Sequence, residues 1–298
     1  MLKTVGVVSR DAGSANQIAW HIKNVPGKYL FALEEPALSI FERVLGPVEN
    51  YELERLVLVC DELISGTGWQ SDFEWFGMQT FLANSKRVTT YLDNWNNYPE
   101  RFIRNGVKLQ PSIMWVSDSI AQEKAILEFP DTPVILQRNF YLDSIREICS
   151  RPTTSAPIHN VQRNILYLTE PISEVQNFHS SPRNFTEYDA LQQFLDEYNS
   201  CRDLELNLRI RLHPSEKPKK YSHLVINLEK IQSKSSELAI DLAWSDFVIG
   251  VDTYAMYVAG QLGLPVATSA TEIDFQGSIP WENVVSLKKV GLRNFLSN

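Results

Sequence analysis

What most constrains this chain is a repeated alternation of short apolar, β-branched runs with stretches of helical periodicity. In the first half the runs fall at Thr4–Val8, Tyr29–Leu33, Leu56–Cys60, Val88–Leu92, Ile113–Val116 and Pro133–Leu136. Apolar residues at three- and four-residue spacing mark helices at Ala15–Lys23, Phe73–Asn84 and Ser119–Glu128. A continuous apolar run of this length suits a strand covered on both faces. Strands that alternate with helices in this way predict a parallel, doubly wound α/β sheet.

The alternation stops between Cys149 and Gln162 and then restarts. Ser150-Arg151-Pro152-Thr153-Thr154-Ser155-Ala156-Pro157 has the composition of a linker. Beyond it, strands are expected at Asn164–Leu168, Leu206–Leu212, Phe247–Val251 and Pro265–Thr268. Helices are expected at Glu187–Asn199, Ser235–Trp244 and Thr253–Leu262. The chain of 298 residues is long enough for two domains. We expect residues 1–150 to form the first, 151–162 the linker and 163–298 the second, with a cleft between the two domains.

Composition narrows the function. A net charge of -8 argues against a nucleic-acid partner, and the clearest basic patch, Lys217, Lys219 and Lys220, is too small for a duplex. Three widely spaced cysteines form neither a disulfide framework nor a zinc knuckle and fit a reducing cytoplasm. The N-terminus lacks the pattern of a signal peptide, and no run approaches the roughly 20 apolar residues of a membrane span. A cytoplasmic location is expected; peripheral contact with the inner membrane through a few basic and aromatic residues stays open. Most of the seven tryptophans are expected in the core.

Two segments place polar groups at the carboxyl ends of expected strands, where open α/β sheets bind ligands. Leu208-Arg209-Ile210-Arg211-Leu212 ends in His213-Pro214. Proline holds the residue before it extended, which displays the His213 imidazole at the sheet edge with Arg211 nearby. About forty residues on, an apolar run ends in Gly250-Val251 and leads to Asp252-Thr253-Tyr254. Thr253 there suits a helix N-cap, and a helix start also offers N–H groups to an anion. Capping and phosphate binding share this geometry.

These segments carry a resemblance. Strand-Arg-x-His-Pro, then an apolar strand, a Thr-bearing helix start and Leu262-Gly263-Leu264-Pro265-Val266, is similar to the donor-binding domain of GT-B-type glycosyltransferases. Within that fold it most resembles bacterial sialyltransferase-like and capsule-type enzymes that use CMP-activated nonulosonic acids. Those enzymes carry adjacent hydroxyls where this chain has Thr253 between Asp252 and Tyr254. The resemblance implies an inverting, metal-independent glycosyltransferase acting on a nucleotide-sugar donor and a surface glycan or glycoconjugate acceptor. His213 would stabilise the leaving phosphate. Arg211, Pro214, Asp252, Thr253 and Tyr254 would bind the donor. UDP-N-acetylglucosamine 2-epimerases are related in architecture. A sugar-nucleotide epimerase or hydrolase, or a non-catalytic sugar-nucleotide-binding subunit, therefore stands as the alternative.

The resemblance also implies a carboxylate base in the first domain. Asp11, in Arg10-Asp11-Ala12-Gly13-Ser14, stands in the first strand-to-helix loop and is the leading candidate. An Asx turn or N-cap explains the same sequence. Asp93 and Asp61 are second choices, both expected at strand ends. Gly13, Ser14, Thr67, Trp69 and Asp93 are candidates for the acceptor side. Ser65-Gly66-Thr67-Gly68-Trp69 reads as a flexible glycine loop; it has neither Walker A nor dinucleotide-fingerprint spacing. No Asp-x-Asp pair, no helical His pair and no Gly-x-Ser-x-Gly elbow occurs. No metal and no cofactor are expected.

Overall fold

The computed structural model describes residues 3–68, 71–150, 162–175, 183–225, 227–279 and 284–297. The chain divides into two compact units, Met1–Asp143 and Ser144–Asn298. The division falls inside the helix Phe140–Cys149, a few residues before the expected boundary at 150. Residues 151–161 of the expected linker, and Trp69, lie outside the described residues.

The first unit is built on strands β1 (Thr4–Ser9), β2 (Lys28–Leu33), β3 (Glu62–Ser65) and β4 (Arg87–Tyr91). A small antiparallel hairpin, β5 (Ile103–Arg104) and β6 (Val107–Lys108), follows, and then β7 (Ile113–Val116) and β8 (Val134–Leu136). The main sheet is six-stranded and parallel, in the order β2-β1-β3-β4-β7-β8. Its helices include α1 (Ala12–Asn24), α2 (Ala37–Leu45), α3 (Leu53–Val59), α4 (Phe73–Ala83), α5 (Ser119–Glu128) and α6 (Phe140–Cys149). One core layer joins Val7, Ile18, Leu33, Phe41 and Ile64, where α1 and α2 cover the sheet.

One expected strand is a helix. Leu56–Cys60 belongs to α3 and its cap, and the third strand begins only at Glu62. The apolar run misleads because it is not buried on both faces: Leu56 is fully buried, but Leu58 is 81% exposed and Val59 is half exposed. The Lys86 ammonium donates to the carbonyls of Val57 and Cys60 and satisfies the end of this helix. Asp61 consequently sits at the amino end of β3, where its carboxylate accepts the Thr4 N–H at 2.7 Å. That is the edge opposite the one on which a base was sought.

The second unit carries β9 (Arg163–Leu168), β10 (Leu206–Arg211), β11 (Phe247–Gly250), β12 (Val266–Thr268) and β13 (Val285–Ser286). They form a parallel sheet in the order β10-β9-β11-β12-β13. Helices α7 (Ile172–Val175), α8 (Glu187–Ser200), α9 (Leu228–Ile231), α10 (Leu238–Trp244) and α11 (Tyr254–Gln261) accompany it. Its core gathers Ile165, Tyr167, Phe194, Ile210, Tyr221 and Ile249. Both units are thus parallel α/β sheets of the doubly wound kind.

Strand order reverses between β1 and β3 in the first sheet and between β9 and β11 in the second. These are the switch points at which the loops after neighbouring strands diverge and leave a crevice. No helix among the described residues is long and apolar enough to cross a membrane.

Candidate active site

At the carboxyl edge of the first sheet three loops meet, two of them carrying an acid. Asp11 follows β1, Gly66-Thr67-Gly68 follows β3, and Asp93 follows β4. Asp11 caps α1: its carboxylate accepts the N–H groups of Gly13 at 3.0 Å and Ser14 at 3.2 Å. The Ser14 hydroxyl donates back to the Asp11 carbonyl at 3.3 Å. The N-cap reading and the candidate-base reading therefore fall on one side chain. Burial, then the charge of Asp93, push Asp11 up to about 6, while Arg101 and the two capping N–H groups pull the other way.

Glu74 enters this edge from α4 and is almost fully buried. One oxygen accepts the N–H groups of Arg10 at 2.8 Å and Asp11 at 3.1 Å, and the other accepts the N–H of Gly68. The carboxyl group thereby ties the loop after β1 to the loop after β3. Burial and the nearby Asp11 push it up to about 7, against those three amides. The glycine loop is consequently a bracket rather than a flexible crossover. A Cβ on Gly66 would overlap the Glu74 carboxylate and the Ser14 hydroxyl, and one on Gly13 would overlap the Asp93 carboxylate.

Asp93 is neutralised by Arg101, which lies in a 3-10 turn at Glu100–Phe102. The guanidinium donates to Asp93 at 2.6 Å, to the Thr67 hydroxyl at 2.9 Å, to Asn94 Oδ1 at 2.6 Å and to the Asn96 carbonyl at 3.0 Å. Both partners of the ion pair are buried. Thr67 also donates to the Tyr91 carbonyl at 3.0 Å, so its hydroxyl is held on both sides. Asp11, Gly13, Ser14, Thr67 and Asp93 thus converge on one edge.

Sequence reasoning missed Glu74 and Arg101. Glu74 had a faint signal, the one acid in a mostly apolar helix, flanked by Phe73, Trp75 and Phe76. Arg101 had none, because its role depends on a turn that only the tertiary fold brings under Asp93.

The edge of the second sheet is arranged differently. His213 follows β10 and is partly buried. Its N–H donates to the Thr169 hydroxyl at 3.0 Å and to Glu216 at 3.1 Å. Burial lowers the imidazole, with Glu216 opposing, so the neutral form is favoured. Glu216 also binds Lys220 at 2.9 Å and accepts from the Tyr221 hydroxyl at 2.5 Å. Lys220 meets Glu187 at 2.5 Å and Glu174 at 3.1 Å as well. Lys220 is therefore buried among carboxylates and is no part of a basic surface patch; Lys217 and Lys219 alone are exposed.

Other expected donor-binding residues have partners inside the unit. Arg211 donates to the fully buried Asp241 at 2.7 Å and to the carbonyls of Ser235 and Ser236 at 2.9 and 3.1 Å. These bonds aim it at α10, apart from His213. Asp252 is buried at the end of β11 and binds Arg183 at 3.0 Å. Its two oxygens also accept from Ser278 and from the Ile279 N–H at 2.8–3.1 Å. Glu170, raised by burial against the pull of Arg183, accepts the Asp252 N–H at 3.1 Å. Thr253 holds the N-cap position of α11 with extended backbone, but its side chain makes no capping bond. The Tyr254 ring packs on Tyr257, and Pro214 is exposed.

No cluster of three or more His, Cys, Asp or Glu side chains among the described residues has the geometry of a metal site.

The two parallel-sheet units define a GT-B-like fold. The chain matches no protein-family model and no curated protein by sequence. Among solved structures it is similar to the UDP-GlcNAc 2-epimerase from Methanocaldococcus jannaschii, at 10% identity and a TM-score of 0.63, over 99% of this chain and 91% of that one. The UDP-N-acetylglucosamine 2-epimerase from Rickettsia bellii is similar at 10% identity and a TM-score of 0.58, over 94% and 81%. The glycotransferase of kitacinnamycin is similar at 9% identity and a TM-score of 0.50, over 92% and 82%. At these identities the likeness is one of fold.

Proposed function

We propose that this chain is an enzyme acting on a nucleotide-activated sugar, and that its chemistry is proton transfer at a sugar carbon, as in an epimerase. The observation that carries the reading is the carboxyl edge of the first sheet. A transferase needs one base for the acceptor hydroxyl. Inverting a carbon that bears hydrogen needs a group that removes a proton and a group that returns one. Here Asp11 and Asp93 stand at one sheet edge, on the loops after β1 and β4, in opposite circumstances. Asp93 is held by an arginine, and Asp11 is pushed up to about 6 by burial and by Asp93 itself. Two acids in such unlike surroundings, one ion-paired and one without a cation of its own, can divide acid and base roles. The solved structures of similar fold, two of them sugar-nucleotide 2-epimerases, support the same reading.

In this reading the nucleotide phosphates bind at the edge of the second sheet, with His213 as a hydrogen-bond donor and the start of α11 contributing its N–H groups. Glu74 positions Asp11 and Gly68 and does not itself touch substrate. Transfer of the sugar to a glycan is the second reading, favoured by the His213-Pro214 and Thr253 segments and by the glycotransferase of similar fold.

Incubation with UDP-N-acetylglucosamine and other nucleotide sugars in D2O separates the two. Proton transfer predicts one deuterium incorporated on the sugar carbon without an added acceptor, and its loss in Asp11→Asn. Sugar transfer to an acceptor with no deuterium in the recovered donor would favour the second reading. No turnover and no thermal stabilisation by any nucleotide would overturn both.

A further inference from the structure

The local geometry of His213 settles a question that a histidine at a phosphate site raises: which ring nitrogen carries the proton. Ser215 addresses Nδ1 twice. Its backbone N–H points at Nδ1 from 3.3 Å, and its hydroxyl lies 2.7 Å from the same atom. A backbone N–H is a donor only, so Nδ1 must present its lone pair. The hydroxyl then donates to Nδ1 as well. In a neutral imidazole the proton must sit on Nε2. Nε2 has no hydrogen-bond partner among the described residues.

We infer that Ser215 fixes His213 as the Nε2–H tautomer, which makes His213 a neutral donor to an anionic oxygen and excludes it as the proton-abstracting base. The inference deepens the nucleotide-sugar reading and rests on it for the identity of the anion. The charged groups facing the ring are Glu216 and Lys220 from its own segment and Glu174 from α7. Glu216 grips the His213 main-chain N–H and leaves the ring to Ser215. Two donors on Nδ1 also resist protonation there, because they stabilise the uncharged ring. Ser215 is thus a positioning residue. It sets the tautomer, and the Thr169 and Glu216 contacts set the backbone.

The test is long-range 1H–15N correlation spectroscopy on the unliganded protein with labelled histidine, His213 being assigned by its absence in His213→Gln. The expected pattern is a protonated Nε2 and an unprotonated Nδ1. Ser215→Ala removes the 2.7 Å hydroxyl contact and keeps only the longer 3.3 Å N–H on Nδ1, so it should raise the imidazole pKa and bring in a fraction of the second tautomer, and Ser215→Thr should restore the original pattern. At a pH where the ring stays neutral, UDP affinity should fall about two- to tenfold in Ser215→Ala, since only part of the population then offers the Nε2–H. A wild-type ring protonated on Nδ1, or a Ser215→Ala spectrum and titration unchanged from wild type, would overturn the inference. The expected tautomer combined with no UDP binding would instead keep Ser215 in this role and overturn the nucleotide reading.

Discussion

The carboxyl edges of the two sheets are built from similar parts to opposite effect. Both lie at a topological switch point, and both gather carboxylates around buried cations, one in the first unit and two in the second. In the first unit Arg101 pairs with Asp93 alone among the acids, which leaves Asp11 and Glu74 raised by burial and mutual repulsion to about 6 and about 7. In the second unit Lys220 is shared by Glu174, Glu187 and Glu216, and Arg183 by Glu170 and Asp252. Charges there are spent inside the scaffold, and His213 projects from it as a neutral ring. The contrast teaches that an acid count says little about chemistry. What matters is which acids have been left without a cation.

The largest expected effect breaks the buried pairs on which the contrast stands. Arg101→Met should destabilise the chain by about 3–5 kcal/mol, because it leaves Asp93 buried and unpaired. Lys220→Met should cost a similar amount in the second unit. Chemical unfolding with a probe in each unit would show both losses; a cost under about 1 kcal/mol in either would mean that the pairing does not anchor that edge.

A pH dependence sharpens the comparison. Asp11 and Glu74 have folded-state values above their ordinary ones of 3.8 and 4.5, so the folded state holds their protons more tightly than the unfolded chain. Their contribution is stabilising below about 4 and is lost as pH rises through about 6 to 7. Asp11→Asn removes one of these titrations and keeps an oxygen for the cap. Wild type should therefore lose about 1–2 kcal/mol relative to the variant between pH 4.5 and pH 7.5. A gap that does not change with pH would show Asp11 to be an ordinary surface acid.

The smallest expected effect concerns two threonines at helix starts. Thr186 forms a full capping box with Asp189 on α8, whereas Thr253 caps nothing with its side chain. Thr186→Ala should cost about 1 kcal/mol and Thr253→Ala less than about 0.5 kcal/mol. A larger fall in nucleotide affinity than in stability for Thr253→Ala would support its place at the donor phosphates.

Much of the fold was legible in sequence because it rests on periodicity. Ile113–Val116 and Ser119–Glu128 fall where the pattern puts them, and most other strands agree within a residue. Leu56–Cys60 failed because a short apolar run does not distinguish a buried strand from a half-exposed helix. Of the site, Asp11 was readable as a loop acid, with its N-cap geometry, from Asp-x-Gly-Ser. Its partners were not. Glu74 arrives from α4 and Arg101 from a 3-10 turn, and each gains meaning only from what the fold sets beside it. Arg211 shows the converse. Its position on β10 suggests a ligand, while Asp241, thirty residues later, claims its guanidinium.

The most direct test of the contrast between the two edges is a 13C NMR titration of the Asp11 carboxyl carbon, repeated in Asp93→Asn. The account predicts a wild-type midpoint of about 6 that falls in the variant, because removing Asp93 removes a like charge and leaves Arg101 nearer to Asp11 in effect. A wild-type midpoint at the ordinary value of 3.8, insensitive to Asp93, would contradict it and leave the first edge without its proton carrier.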